Sequence, residues 1–147
     1  MAQPAVSTAA MTKDMYSHLS AVETLAPAVR TATASGTGVD LMGYEGALVL
    51  VHMGDWTDGS HAFEIQESDD DGDTDAYSAV ADADLVGASA TPEPTVSDET
   101  GDDRIVAIAY IGGARYIRVV QTVTGSPSTG LAGGALVVRG YPRHMNA

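Results

Sequence analysis

The sequence predicts an all-β fold: an antiparallel, jelly-roll-like β-sandwich of about eight short strands behind a flexible N-terminal arm. Three observations carry that reading. Short runs rich in Val, Ile, Tyr and Phe alternate with polar residues, as pleated, half-buried segments do. Turn-forming clusters of Gly, Pro, Asp, Ser and Thr recur about every 8 to 15 residues. The stretch Arg104 to Val123 sets two alternating runs, Ile105 to Ile111 and Arg115 to Val120, around Gly112-Gly113. That dipeptide reads as a tight hairpin turn, because two-residue turns need positive φ angles that glycine adopts without cost.

Taken in order, residues 1–23 read as the arm and 24–147 as the sandwich domain. The first 20 or so residues carry Ala, Ser, Thr and Met without a sustained period, the texture of a segment that orders only against a neighbour. A helical turn near Lys13 to Leu19 is compatible with it. Leu25 to Thr33 is extended in character, and Pro27 suits an edge strand because it cannot donate to a ladder. Val39 to Met42 is a brief strand ending at Gly43. Ala47 to Met53 is apolar at both odd and even positions, so the expectation is a central strand covered on both faces. Ala62 to Gln66 alternates, with Phe63 and Ile65 inward and Glu64 and Gln66 outward.

Ser68 to Asp75 is a turn by composition, Ala76 to Val80 resumes extended structure, and Asp82 to Gly87 follows. Ala88 to Asp103, with Pro92 and Pro94, is expected as an irregular surface projection. Thr124 to Gly130 is a loop and Ala135 to Gly140 the last strand.

Composition narrows the function. Seven Lys and Arg stand against twenty Asp and Glu, a net charge of −13 over 147 residues. Phosphate contacts need clustered cations, so nucleic acid is not an expected partner. Anionic membrane surfaces are disfavoured too, and no apolar run reaches the roughly 20 residues of a spanning helix. The absence of cysteine removes disulfides and thiolate chemistry. The first residues lack the basic start and apolar centre of a secretory signal, so residence inside a cell is the expectation.

The candidate chemical constellations are thin. With Gly72 at the sixth position of a calcium loop, Glu67, Asp69, Asp71, Asp73 and Asp75 fall at alternate positions, but Ser78 stands where a bidentate Glu belongs. A solvated hairpin tip fits this acidic turn better than a metal site, and no metal or cofactor is expected. Asp98, Glu99, Asp102 and Asp103 form a second acidic cluster that either meets a basic partner or keeps a loop soluble. His18, His52, His61 and His144 lack ligand spacing, no Gly-x-Ser-x-Gly turn occurs, and Gly36-Thr37-Gly38 and Gly133-Gly134 read as turns or bulges. The chain is not read as an enzyme. Trp56 either caps the sandwich end or anchors a contact. Tyr116 and Arg118 share one strand face, as interface anchors or as ordinary exposed residues. With Met11, Met15 and Tyr16 of the arm, they complete the candidate interface.

The order of motifs carries a resemblance. Leu-Met-Gly-Tyr-Glu-Gly-Ala-Leu (41–48), Phe-Glu-Ile-Gln-Glu-Ser-Asp-Asp (63–70), Val-Ala-Asp-Ala-Asp-Leu-Val-Gly (80–87), Tyr-Ile-Gly-Gly-Ala-Arg-Tyr-Ile-Arg-Val (110–119) and Gly-Tyr-Pro-Arg-His (140–144) follow one another. Over residues 22–144 this resembles a family of small virion proteins of tailed bacteriophages that includes capsid decoration, or cement, proteins. The resemblance implies binding to the outer surface of the major capsid protein, self-association as dimer or trimer, synthesis in the host cytoplasm and residence on the capsid exterior. A head–tail junction or tail component, and a carbohydrate or host-surface binding module, are the alternatives.

Overall fold

The computed structural model describes residues 13–143. Its strands are β1 (Ser20–Arg30), β2 (Ala34–Ser35), β3 (Val39–Asp40), β4 (Tyr44–Trp56), β5 (Ser60–Ser68), β6 (Ser78–Ala79), β7 (Leu85–Val86), β8 (Thr95–Val96), β9 (Arg104–Tyr110), β10 (Tyr116–Thr124) and β11 (Leu131–Pro142). A single 3-10 turn, Asp82–Asp84, precedes β7. Every strand pair is antiparallel.

One sheet has the order β1-β11-β4-β9-β7; the other runs β2-β10-β5-β6, with β3 also on β10 and β8 also on β5. The chain passes from sheet to sheet at every step along it except β2 to β3 and β5 to β6. Counting β2 with β3, and β6 with β8, as interrupted single strands leaves the two interleaved Greek keys of a jelly roll. The expected fold class is therefore the observed one.

The core lies between the sheets. Val49, Val51 and Met53 of β4, Ile108 of β9 and Val137 of β11 face Phe63 and Ile65 of β5 and Ile117 and Val119 of β10, all essentially without solvent contact. Period-two alternation places them there, since successive side chains of a strand point to opposite faces. Phe63 and Ile65 point inward as expected. Pro27 lies on β1, an edge strand, also as expected. Gly133-Gly134, expected as a turn or bulge, instead pairs in regular register with Met53 and His52 within β11, and the register shift lies just before it, between Leu131 and Gly133.

A buried polar chain crosses the core. His61 is fully buried and donates through Nε2 to the Asp58 carbonyl at 3.0 Å, which leaves Nδ1 to accept from Gln121 Nε2 at 3.1 Å. Gln121 Oε1 accepts from Arg30 Nη1 at 3.3 Å, and the same nitrogen donates to the Gly133 carbonyl at 2.6 Å. Strands of both sheets are thus joined by groups whose partners are satisfied, and losing any one leaves another stranded in a dry interior.

Four expectations need correction. Arg104 to Val123 is not a hairpin: β9 pairs with β4 and β7, whereas β10 pairs with β2, β3 and β5. Neither Gly112 nor Gly113 has a positive φ. Gly112 instead makes room for Tyr110, whose ring atoms lie 2.6 Å from where a Cβ would sit. Tyr110 folds back there to accept from the Ala114 N–H at 2.9 Å and to donate to Glu67 at 2.6 Å.

The arm also ends earlier than residue 23, because Ser20 to Glu23 already pair with Arg139 to Leu136 of β11. The Ala88 to Asp103 segment is no simple projection, since Pro92, Pro94 and Val96 are buried and Glu93 accepts from the Ile65 N–H at 2.6 Å. Finally, the described residues cover β4 fully on one face only, where Ala47, Val49, Val51 and Met53 are buried; on the other, Leu48 and His52 are exposed.

Candidate functional site

The uncovered side of β4 is the most unusual surface of the molecule. Its odd residues Ala47, Val49, Val51 and Met53 enter the core, so Leu48, Leu50 and His52 must point away from it. The neighbouring strands follow the same register. Val86, Ala109, Leu48, Val138 and Ala21 are paired in succession and form one row across all five strands, without a polar side chain. A second row joins Ala107, Leu50 and Leu136 and ends at Glu23 on the edge strand. A third joins Ile105, His52 and Gly134, and beyond it Val29 pairs with Ala132.

Ile105 is 59% exposed, Val86 54% and Val29 62%, high values for large aliphatic side chains. Scattered apolar residues on a surface need no explanation, but a contiguous apolar face does. Two concavities run over it. One, at the end where the chain enters, is lined by Met15, Leu19, Leu48, Ala109, Val138 and Tyr141. The other, at the far end, is lined by Val29, Leu50, Ile105, Ala132 and Leu136.

The outer face of the second sheet is built differently. Arg118 donates through Nε and Nη2 to Gln66 Oε1, at 3.0 and 2.8 Å, and its guanidinium lies 4.1 Å from the centre of the Tyr77 ring. Gln66 in turn donates to Glu64 at 2.8 Å. Tyr77 donates to Asp71 at 2.6 Å, and burial together with that carboxylate holds its hydroxyl above the usual phenol range. Burial likewise raises the Glu93 carboxyl.

Arg118 is therefore engaged within the chain on its donor edge and its flat face. Tyr116, on the same side of β10, is half-buried with the Arg115 guanidinium 5.1 Å from its ring centre. Trp56 packs against the core and donates from its indole to the Gly59 carbonyl at 2.9 Å, the arrangement of an end cap. Met15 and Tyr16 are exposed, at 65% and 88%, beside the entry end of the apolar face. Met11 and His144 lie outside the described residues. The structure thus gathers no common site from the described sequence candidates, although Met15 and Tyr16 both lie against the entry end of the apolar face.

The acidic turn is the connection between β5 and β6. Asp70 accepts from the Thr74 hydroxyl, the Thr74 and Asp75 N–H groups and Ser68, and these bonds hold its carboxyl down at about 2. Asp75 accepts from the Asp69 N–H at 2.7 Å. A carboxylate already saturated by its own loop behaves as a turn former, in keeping with the hairpin-tip reading. Asp55, Asp102 and Asp103 bring carboxylate oxygens within 4.8 Å of one another. Asp102 also accepts from the Trp56 N–H at 2.7 Å, which gives it a structural task. Among the described residues, no hydrogen bond joins a histidine to a hydroxyl or a carboxylate.

No helix among the described residues is long and apolar enough to cross a membrane. No protein-family model and no curated protein matches the chain.

The apolar face was missed at sequence level although its signal was present. Ala47 to Met53, Ile105 to Ala109 and Ala135 to Val138 are each apolar at both parities. That pattern reports two apolar faces; it does not say that the same chain covers both.

Proposed function

We propose that this protein is a structural component of a tailed-phage virion, a decoration protein that binds the outer surface of the major capsid protein and braces the expanded head. The observation that supports this reading best is the uncovered apolar face on an otherwise acidic jelly roll. A contiguous exposed apolar face marks a surface used for association, because covering each Å² of it recovers about 25 cal/mol of transfer free energy. The run of motifs over residues 22–144 supplies the capsid context. On a lattice that repeats one site many times, modest contacts per subunit sum to firm attachment wherever subunits also touch one another.

The test is to mix the purified protein with undecorated expanded heads and image them by cryo-electron microscopy. Regular density over the whole outer shell is expected. Density confined to one vertex would move the protein to the head–tail junction. Bare heads, together with its absence from purified virions, would refute the reading.

A further inference from the structure

We propose that residues 1–12 of this chain lie along the row formed by Val138, Leu48, Ala109 and Val86 on the outer face of the five-stranded sheet, and cover it until the protein docks. The course of the chain points them there. Read backwards from β1, it leaves the edge of the sheet at Ser20 and sets Leu19 against Gly140 of β11, where an added Cβ would lie 3.2 Å from the Leu19 side chain. It then turns, the Met15 carbonyl accepting from the His18 and Leu19 N–H groups at 3.2 and 3.0 Å. Met15 stands beside Leu48 and Val138, so the chain before Lys13 sets out from over the sheet and not from beyond its edge.

What lies ahead of it is half covered. Met15 and Leu19 shelter one end of the row, while Leu48 is 37% exposed, Val86 54%, and Ile111, just past β9, 61%. This is the row that crosses all five strands without a polar side chain.

Length, composition and attachment agree. Val138 to Val86 is three strand spacings, roughly 14 Å, and 12 extended residues reach roughly 40 Å. Residues 1–12 include no ionisable side chain, in a chain whose net charge is −13, so they lie on an apolar row without burying a charge. Ala9, Ala10 and Met11 are the first to arrive. Asp14 and Glu45 border the same concavity and repel an acidic occupant. The chain's own segment is favoured over any separate molecule, because a short tether holds it at an effective concentration on the order of millimolar, where modest burial suffices.

The inference rests on reading this face as the docking surface, and the two fail separately. The full chain, labelled at its methyl groups, is followed by NMR. Ala10→Asp and Met11→Asp, each of which sets a carboxylate in the covering segment, should shift the methyl signals of Leu48, Val86 and Val138. Those of Ile108 in the core and Val29 at the far end should stay in place. The chain has no cysteine, so Ala9→Cys takes a single nitroxide, which should broaden the signals of Leu48, Val86 and Val138 in its own molecule and spare Val29. Met11→Asp should bind undecorated heads at least as tightly as the wild type, since its row is already open.

Unshifted Leu48, Val86 and Val138 signals in both variants overturn the proposal. So does equal broadening of labelled, untagged protein mixed with unlabelled, tagged protein, which would assign the cover to a second copy. Weaker binding of Met11→Asp to heads would make the segment part of the docking contact and overturns it too. Shifted signals with heads that stay bare would refute the decoration role alone; decorated heads with unshifted signals would refute the cover alone.

Discussion

The outer faces of the two sheets are made by the same alternation and end in opposite states. On the six-stranded sheet Arg118, Gln66, Glu64 and Tyr77 bind one another, so that face is complete within the chain. On the five-stranded sheet Leu48, Leu50, Leu136, Val138 and Ile105 are as apolar as a core layer, and the described residues cover them only in part, with Met15 and Leu19 beside Leu48 and Val138 at one end. A β-sandwich needs one apolar face per sheet, and this chain has built a third. The difference teaches that alternation sets which side chains share a face and does not set which faces the rest of the chain will cover.

The largest effect should come from comparing two isoleucines of β9. Ile108 faces the core with no exposure and Ile105 faces outward. Ile108→Ala should lower stability by about 2–5 kcal/mol through lost burial and a cavity. Ile105→Ala, at a side chain that is 59% exposed, should change it by less than about 0.5 kcal/mol. Urea unfolding of both variants decides this; comparable losses would mean that the outer face is already covered in the monomer.

Next is the crossing that sends β9 and β10 to different sheets. Gly112→Val should cost about 1–3 kcal/mol, because the new side chain meets the Tyr110 ring. Gly113→Val, where a Cβ meets nothing within 4 Å, should be nearly neutral. Equal melting temperatures for the two variants would return the segment to a hairpin.

Arg118→Ala should cost about 1 kcal/mol through its bonds to Gln66 and its stacking on Tyr77, with no change in association. Altered sedimentation of that variant would show that the polar face also carries a contact.

The smallest effect is acid. Asp40 is held at about 2, chiefly by its bonds from Arg115, and Asp70 at about 2, chiefly by the Thr74 hydroxyl. Both folded values lie below the ordinary 3.8, so their contribution is complete above that pH and is lost as the pH falls through about 2. Both carboxylates are partly exposed and so partly screened by water, and a slight drop in melting temperature over that window is expected, with the apolar face unaffected. A melting temperature flat from pH 5 to 2 would show that neither carboxylate contributes.

Much of this was readable from residue order. Alternation put Phe63 and Ile65 inside and Glu64 and Gln66 outside, Pro27 marked an edge strand, and Ser68 to Asp75 marked a turn. These are local properties: pleat parity, missing donors and turn chemistry act within a few residues. What failed was partner choice. Ile105 to Tyr110 reads correctly as a strand, but its mate is β4, some fifty residues earlier, because burying Ile108 and Tyr110 beside Val49 and Ala47 outweighs the nearness of β10.

The candidate site was missed for the same reason. The even positions of β4 were visibly apolar in the sequence, but only the assembled sheets reveal that the described residues put no full layer above them. The sequence by itself determined the all-β class, the places of the longer strands, the parity of side chains such as Phe63 and Ile65, and the net charge of −13. Only the tertiary structure decided which strands pair, why Gly112 must be glycine and which apolar face is left open. Parity is fixed by the backbone of one strand, whereas pairing and coverage depend on segments distant in the chain competing for the same apolar surface.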